Sequence, residues 1–325
     1  MNNLHTLKNF EFHNFHPAMD DFHAEVIAGL SAEIKHLSPK FFYDEQGSQW
    51  FDAITALPEY YPTRTEIALL QEFGTEIADL LGHDNVLVEL GSGSSLKIRT
   101  LLDVLQPVVY MPIDISLEHL YQSAISIATD YPELQICAVC ADYSEVIELP
   151  TLADAYPRVA FFPGSSIGNF EPKEAGLFLQ RVATMIGVGG KLLIGVDLRK
   201  DPCLLHAAYN DAQEVTAAFN LNLLERINRE LEADFKLDSF RHYAFYNPRL
   251  HRIEMHLLSM KNQTVRIGET TINFQNGESI HTENSCKYSV EAFQKLAALA
   301  GFDTLQVWQD EQSLFSLHCL QVKHC

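Results

Sequence analysis

The chain has 325 residues, about two domains' worth at roughly 150 residues each, and its 47% hydrophobic and 20% charged residues are ordinary for a globular protein. Twenty-three Lys and Arg stand against 43 Asp and Glu, a formal charge of −20 that repels a phosphate backbone and argues against a general nucleic-acid binder. No stretch reaches the ~18 uninterrupted apolar residues of a membrane span, and Met1 to Phe15 lacks the apolar core of a signal peptide. We expect a cytoplasmic protein with neither a nucleic-acid nor a membrane partner. Oligomeric state is not readable here, with a monomer favoured.

The helical spacing of apolar residues predicts a helix over Ile67 to Leu81, with Gly82 as its C-cap. Val86 to Leu90 reads as a strand, followed by the turn Gly91-Ser-Gly-Ser-Ser95 and a helix through about Leu105. Strand Val108 to Ile113, helix Ser116 to Ala128, and strands Gln135 to Val139, Val159 to Phe162 and Lys191 to Val196 come next, with helix Pro172 to Ile186 between the last two. This alternation predicts a doubly wound α/β domain on a parallel sheet. It breaks near residue 199. Lys200 and Asp201 before Pro202 look like a helix start, with Asp201 as N-cap. Leu204 to Leu231 then reads as one or two helices, before strands Arg241 to Tyr246, Arg252 to Met260, Thr264 to Ile267 and Thr270 to Phe274 and the turn Asn276-Gly277. Helix Val290 to Ala300 and strands Thr304 to Gln309 and Leu314 to Gln321 close the chain, the strands as an antiparallel hairpin. The expected division is a core over 67–198 completed by 288–325, with a smaller α+β insertion over 199–287 to which 1–66 contributes.

Six cysteines (Cys137, Cys140, Cys203, Cys286, Cys319 and Cys325) show no disulfide spacing. Cys137 and Cys140 form a C-x-x-C inside a strand-like run with no second pair nearby to complete four zinc ligands, so we read them as buried strand residues. Fourteen histidines show no H-E-x-x-H or comparable spacing, and no metal site is predicted.

The chemistry begins at Gly91, where a glycine turn lets backbone approach a ligand and the following helix offers free N–H groups. The dinucleotide fingerprint needs a third glycine where this chain has Leu96, which disfavours nicotinamide and flavin cofactors. Asp114, 23 residues after Gly91, is placed to accept both hydroxyls of a ribose. Asp142 can accept from an adenine amino group, and Tyr143 can cover the ring. Each acid alone could equally be a helix cap or a solvated turn. In this order and spacing they favour an adenosine ligand without a pyrophosphate, a description that S-adenosylmethionine fits.

Phe41-Phe-Tyr-Asp44, Leu57-Pro-Glu-Tyr-Tyr-Pro-Thr-Arg-Thr-Glu66, Glu89-Leu-Gly-Ser-Gly-Ser-Ser95, Gly164-Ser-Ser-Ile-Gly-Asn-Phe170, Asp197-Leu-Arg-Lys-Asp-Pro202, Ala207-Ala-Tyr-Asn-Asp211, Phe219-Asn-Leu-Asn222, Ile227-Asn-Arg-Glu230 and Thr282-Glu-Asn-Ser-Cys-Lys287 stand in order. The set resembles the histidine Nα-methyltransferase family of ergothioneine biosynthesis, which includes fungal relatives acting on a prenylated tryptophan. The likeness runs from about residue 38 to the C-terminus. It implies a Rossmann-like class I methyltransferase sheet with a second, smaller α+β domain, S-adenosyl-L-methionine as cofactor and L-histidine as small-molecule substrate. It also implies that Tyr43, Gly91, Lys97, Asp114 and Asp142 contact the cofactor. By the same likeness Asn169 and Tyr209 hold the substrate's carboxylate and amino group, and Tyr60, Met255, Glu283 and Ser285 surround the imidazole.

The residues read alone are compatible with this. Glu283 and Ser285 are two apart and share a face if extended, and a carboxylate with a hydroxyl suits a ring with two nitrogens. We expect Asn169 to end the fourth strand in a Gly-Asn turn, where its amide can donate and accept. Without the resemblance, Tyr60 and Met255 could be packing residues, Glu283 a solvated carboxylate, and Lys287 either a partner for a carboxylate or a water-facing cation. The expected reaction is three successive methyl transfers to the α-nitrogen of L-histidine, with Tyr43 and Asn169 as the catalytic residues and Tyr43 a candidate to receive the proton. Alternatives are an Nα-methyltransferase for another amino acid or an aromatic amine, or a cofactor-binding protein without activity. The first 37 residues, with His5, His13, His16 and His23, match no family motif, and Ser166 stands where many relatives carry Thr.

Overall fold

In the computed structural model, which describes residues 7–15, 19–93, 96–151 and 156–323, the chain runs β1 (Phe10–Asn14), α1 (Met19–Ser31), α2 (Glu45–Thr55), α3 (Tyr61–Leu81), β2 (Val86–Leu90), α4 (Leu96–Leu105), β3 (Val109–Asp114), α5 (Leu117–Asp130), β4 (Gln135–Cys140), β5 (Arg158–Phe162), α6 (Pro172–Ile186) and β6 (Lys191–Asp197). It continues through α7 (Pro202–Tyr209), α8 (Val215–Glu230), β7 (Phe240–Asn247), β8 (Arg252–Ser259), β9 (Gln263–Ile267), β10 (Thr270–Phe274), β11 (Ser279–Cys286), α9 (Val290–Leu299), β12 (Phe302–Gln309) and β13 (Phe315–Val322). Ser94 and Ser95 of the glycine turn, His5, His16 and Cys325 lie outside the described residues. Two compact units result. One comprises Met1–His16, Pro62–Arg199 and Tyr288–Cys325, the other Pro17–Tyr61 and Lys200–Lys287.

The first unit is built on an eight-stranded sheet of order β1-β4-β3-β2-β5-β6-β13-β12. Neighbours from β1 to β6 pair parallel, while β13 runs antiparallel to both β6 and β12. Every residue of β2 is buried, as expected of a strand covered on both faces, which is why these strands read as unbroken apolar runs. Leu69, Ile77, Ile98, Leu101, Leu120, Ile127, Phe161 and Leu193 are among the residues of that core. The chain order reverses at β2 and β5, the kind of switch point beside which doubly wound sheets bind ligands.

The N-terminus departs from the expected division. Of the segment 1–66, expected to contribute to the second domain, Pro17–Tyr61 lies in the second unit, but β1 pairs in parallel with β4 and lies, with the chain from Pro62, in the first. Asn9 fastens it, its Nδ2 donating to the carbonyls of Ala128, Tyr131 and Leu134 at 3.0–3.2 Å. Phe10 and Phe12 pack edge-on against Tyr121. An edge strand of five residues with a charged and an imidazole side chain interleaved leaves little apolar pattern to read.

In the second unit, β7, β8 and β11 form an antiparallel sheet of order β11-β8-β7, and β9 pairs with β10 as a hairpin. The stretch Leu204 to Leu231 resolves into two helices. Asp201 caps the first, accepting from Cys203 N at 2.8 Å with Pro202 in the first turn. Asp211 opens the second, its two carboxylate oxygens accepting from Val215 N and Thr216 N at 2.9 Å each. Asp44 caps α2 by accepting from Gly47 N at 2.7 Å, and it also receives Asn222 Nδ2 at 2.8 Å and Arg229 Nη2 at 2.5 Å. Three of the sequence motifs therefore meet at one carboxylate. Gly47 is required beside it, since a Cβ there would stand 1.7 Å from Phe42 O.

Replacing Asp211 with Ala leaves two amides at the start of α8 without their acceptor. We expect the urea unfolding free energy to fall by about 1–2 kcal/mol; an unchanged midpoint would mean that other groups satisfy those amides.

Candidate active site

At the carboxyl edge of the parallel strands, β2 ends at Leu90 and the chain turns through Gly91 with φ 70°. The amides of Gly91 and Ser92 both donate to Ile113 O, at 2.8 and 3.3 Å. A Cβ at Gly91 would combine that left-handed backbone with an approach of 3.3 Å to the Tyr143 ring. Gly93, φ 49°, donates its amide to Asp114 Oδ2 at 3.1 Å, and Ser116 N donates to Asp114 Oδ1 at 2.9 Å. Burial pushes the Asp114 carboxyl up, while the Ser116 and Gly93 amides pull it back. A carboxylate held by two amides keeps lone pairs for two further donors, which is what a ribose diol requires.

Asp142 follows β4, with Oδ1 accepting from Ser144 N at 2.9 Å and Ser144 Oγ at 2.5 Å. The Tyr143 ring packs edge-on to Phe162 and Phe178, with centroids 5.5 and 6.2 Å away. Gly91, Asp114, Asp142 and Tyr143 thus stand at the ends of three adjacent strands. They fit an adenosine: an open glycine turn, an anchored acceptor and an aromatic face.

Lys97 on α4 lies 2.7 Å from Glu66 Oε2, in a pair whose carboxylate is fully buried. Glu66 also accepts from Gly164 N at 3.1 and 2.9 Å through its two oxygens. Gly195 of β6 makes room for it, since a Cβ there would come within 2.1 Å of Glu66 Oε1. Sequence reasoning gave Glu66 no role. The signal was available, because Glu66 occupies the buried row Thr63, Glu66, Leu69, Leu70 and Ile77 of α3.

Asn169 does not end a strand. The strand stops at Phe162, and left-handed residues Gly164 (φ 78°) and Ser165 (φ 58°) turn the chain into a single 3₁₀ turn, Ser166–Asn169, that carries it.

The second unit holds Tyr43, Tyr60, Tyr209, Met255, Glu283 and Ser285. In the β8–β11 ladder Glu283 pairs with Met255 and Ser285 with Ile253, after a bulge between His281 and Glu283. Both polar residues are buried, and they share a face as their spacing predicts. Burial pushes the Glu283 carboxyl up to about 7, and the Lys287 ammonium opposes it. Lys287 is itself buried, donating to Ser285 Oγ at 2.6 Å and to Tyr209 Oη at 3.4 Å. Tyr43 and Tyr60 both pack edge-on against Phe51. Phe51 went unremarked in the sequence because α2, a helix of eleven residues, was not read as one.

The other face of that sheet carries Glu254, His256 and His281, whose ligating atoms all lie within 4.8 Å of one another. Arg252 Nε and Asn247 Nδ2 each donate to Glu254 Oε1 at 2.9 Å, and Asn284 Oδ1 bonds His281 Nε2 at 3.0 Å. Burial holds both imidazoles below their usual range. Arg252 thus occupies the Glu254 carboxylate, while His256 Nε2 stands 3.4 Å from Glu254 Oε2 and neither His256 ring nitrogen makes a hydrogen bond among the described residues. Cys137 and Cys140 are buried in β4, and burial pushes both thiols up to about 12, far from a reactive thiolate.

A doubly wound sheet that finishes in an antiparallel strand pair, with residues at its carboxyl edge that fit an adenosine, is here the sheet of an S-adenosylmethionine-dependent methyltransferase. The family described as histidine-specific, SAM-dependent methyltransferases matches residues 22–322, and the chain belongs to it. The chain is 42% identical over 299 residues to a histidine N-alpha-methyltransferase of Mycobacterium tuberculosis, covering 90% of this chain and 92% of that one. It is 30% identical to ergothioneine biosynthesis protein 1 of Neurospora crassa, over 84% of this chain and 32% of that one. Among solved structures it is similar to an S-adenosylmethionine-dependent methyltransferase from Clostridium acetobutylicum, with TM-score 0.47 and 12% identity over 79% of this chain and 91% of that one. Among the described residues no helix is long and apolar enough to cross a membrane.

Glu89, buried in β2, accepts from Tyr110 Oη, and burial pushes its carboxyl up to about 8. The folded chain therefore keeps a proton that the unfolded chain releases near 4.5. The stabilisation is complete below that value and is lost as pH rises towards 8, by about 1.4 kcal/mol per pH unit for each proton so held. Glu89→Gln should flatten the fall in urea midpoint between pH 5 and 8; a variant whose profile runs parallel to the parent would show that Glu89 titrates normally.

Proposed function

We propose that the protein moves methyl groups from S-adenosylmethionine to the α-nitrogen of L-histidine, three times in succession, giving the trimethylated betaine as in ergothioneine biosynthesis. The observation that carries this reading is the pairing of Glu283 with Ser285 on one buried face beside Met255, in a chain of the histidine-specific family. A carboxylate and a hydroxyl would be left unpaired by an apolar ring, and a site with unpaired polar groups rejects such a ligand.

In the first unit Gly91 and Gly93 give the cofactor close access to backbone, Asp114 accepts the ribose hydroxyls, and Asp142 and Tyr143 take the adenine. Lys97 lies at the same edge, held by Glu66. Bound S-adenosylmethionine supplies a sulfonium methyl open to in-line attack. Asn169 and Tyr209 hold the carboxylate and amino group of the substrate, Tyr60 and Met255 flank its ring, and Glu283 and Ser285 bond the two ring nitrogens. An α-amino group has a reference pKa of ~7.7–8.0, so baring its lone pair costs little near neutrality. Positioning therefore carries most of the rate, and Tyr43 relays the proton, its phenol oxygen accepting it from the amine while the phenol's own proton passes to water. The Asn169 amide both donates and accepts, so it serves the amine as its N–H groups are replaced. We place the enzyme in the cytoplasm, a reading supported by free cysteines and by the absence of a disulfide spacing.

The purified protein, given S-adenosylmethionine and all twenty amino acids together, should convert histidine alone, with up to three added methyl groups read by mass spectrometry. Methylation of a different amino acid would overturn the reading of Glu283 and Ser285. Glu283→Ala should weaken histidine binding about 10- to 150-fold and spare the cofactor, and Asp114→Ala should do the reverse. Equal loss of both ligands in either variant would sink its assignment.

A further inference from the structure

Lys287 follows the last strand of the small sheet and is 2% exposed. Its backbone is fixed, the amide donating to His251 O at 2.7 Å. Its ammonium donates to Ser285 Oγ at 2.6 Å and to Tyr209 Oη at 3.4 Å, and sits 5.2 Å from the centre of the Tyr209 ring. An ammonium offers three donors and no acceptor. Each of these hydroxyls therefore accepts from Lys287, and its single proton has to point elsewhere. A neutral partner at this place would let either hydroxyl turn round.

We propose that Lys287 is a positioning residue that sets hydrogen-bond polarity: it fixes Ser285 as an outward donor beside the Glu283 acceptor, so that the pocket selects a ring bearing one N–H and one bare nitrogen. This rests on the histidine reading and deepens it. A neutral imidazole answers the pattern, its N–H towards Glu283 and its unprotonated nitrogen towards the Ser285 hydroxyl. An indole or pyrrole, which has a donor nitrogen and no acceptor, leaves the Ser285 proton unmet. Lys287 need not touch the substrate to do any of this.

The test compares histidine with 2-pyrrolylalanine, which keeps the N–H and replaces the bare nitrogen by C–H. Binding of each is measured by calorimetry in the presence of S-adenosylhomocysteine. The parent protein should favour histidine by roughly 10- to 100-fold, the cost of leaving a buried donor unmet. In Lys287→Met the hydroxyl is free to turn, so that ratio should fall to within about threefold of unity, with KM for histidine raised more than kcat is lowered. Lys287→Arg keeps a pure donor and should restore much of the ratio. Ser285→Ala should abolish the ratio with Lys287 intact, so the proposal can be read even where the Met variant folds poorly. A Met variant that weakens both ligands equally and keeps the parental ratio would overturn the proposal and leave Lys287 a structural cation. A parent protein that binds both ligands equally well would overturn it too. Failure of the parent to bind histidine at all would overturn the histidine reading itself, and this proposal with it.

Discussion

A charge carried into a protein interior must find a counter-charge or a set of donors there, because the alternative is a desolvation cost of several kcal/mol per ion. The sites in this molecule are organised by that constraint. Glu66, with no exposed surface, is answered by Lys97 and by the Gly164 amide. Asp44 is answered by an amide, an asparagine and an arginine. Lys287 is answered by two hydroxyls and by the Glu283 carboxylate. In each case at least one partner comes from a segment far apart in sequence, so each solution also fixes where separate elements lie. The Glu66 pair joins α3 to α4 and to the turn after β5. The Asp44 group joins the start of α2 to α8.

The parallel sheet supplies the other half of the arrangement. Crossover connections bring every parallel strand to the same edge, so the loops after β2, β3 and β4 emerge side by side. Gly91 and Gly93 provide the left-handed backbone there, and Asp114 binds the turn through the Gly93 amide. The same carboxylate thus braces the loop and keeps lone pairs for further donors. Removing a Cβ from position 195 serves a carboxylate on α3 in the same way that removing one from position 47 serves the Phe42 carbonyl.

How much of this the sequence displays depends on which physical signal a segment carries. Strands β2 to β6 are apolar on both faces and stood out, as did the helices between them. The residues proposed to hold the cofactor were picked out because glycine and aspartate recur at the ends of adjacent strands, where the structure places them. Strand β1 was not legible, being a five-residue edge with Glu11 and His13 interleaved. Strand β11, Ser-Ile-His-Thr-Glu-Asn-Ser-Cys, was missed as a strand for a different reason: its residues from Thr282 to Ser285 are polar and yet buried. Alternation of apolar with polar cannot be seen where both faces are polar. Only its resemblance to a known motif marked it, and Glu66 escaped even that, although it stood within a quoted motif.

A strand such as β11 is a poor contributor to stability, since buried polar groups gain little net free energy from their hydrogen bonds. Its neighbours carry that cost. Ile253 and Leu257 of β8, together with Leu223, Leu224 and Ile227 of α8, supply apolar burial to the second unit. What the polar strand supplies is direction. A hydrophobic pocket distinguishes rings of similar size by only a few kcal/mol, whereas a group held as donor or acceptor penalises each ring that presents the wrong atom. Ser285 and Tyr209 alone could offer either polarity, and Glu283 near its titration point could also donate. A buried ammonium takes that choice from Ser285, because it can only donate to a hydroxyl, and it holds the Glu283 carboxyl below where burial alone would put it. Local stability is thereby exchanged for a single hydrogen-bonding pattern, and functional sites are where such violations of ordinary packing are expected.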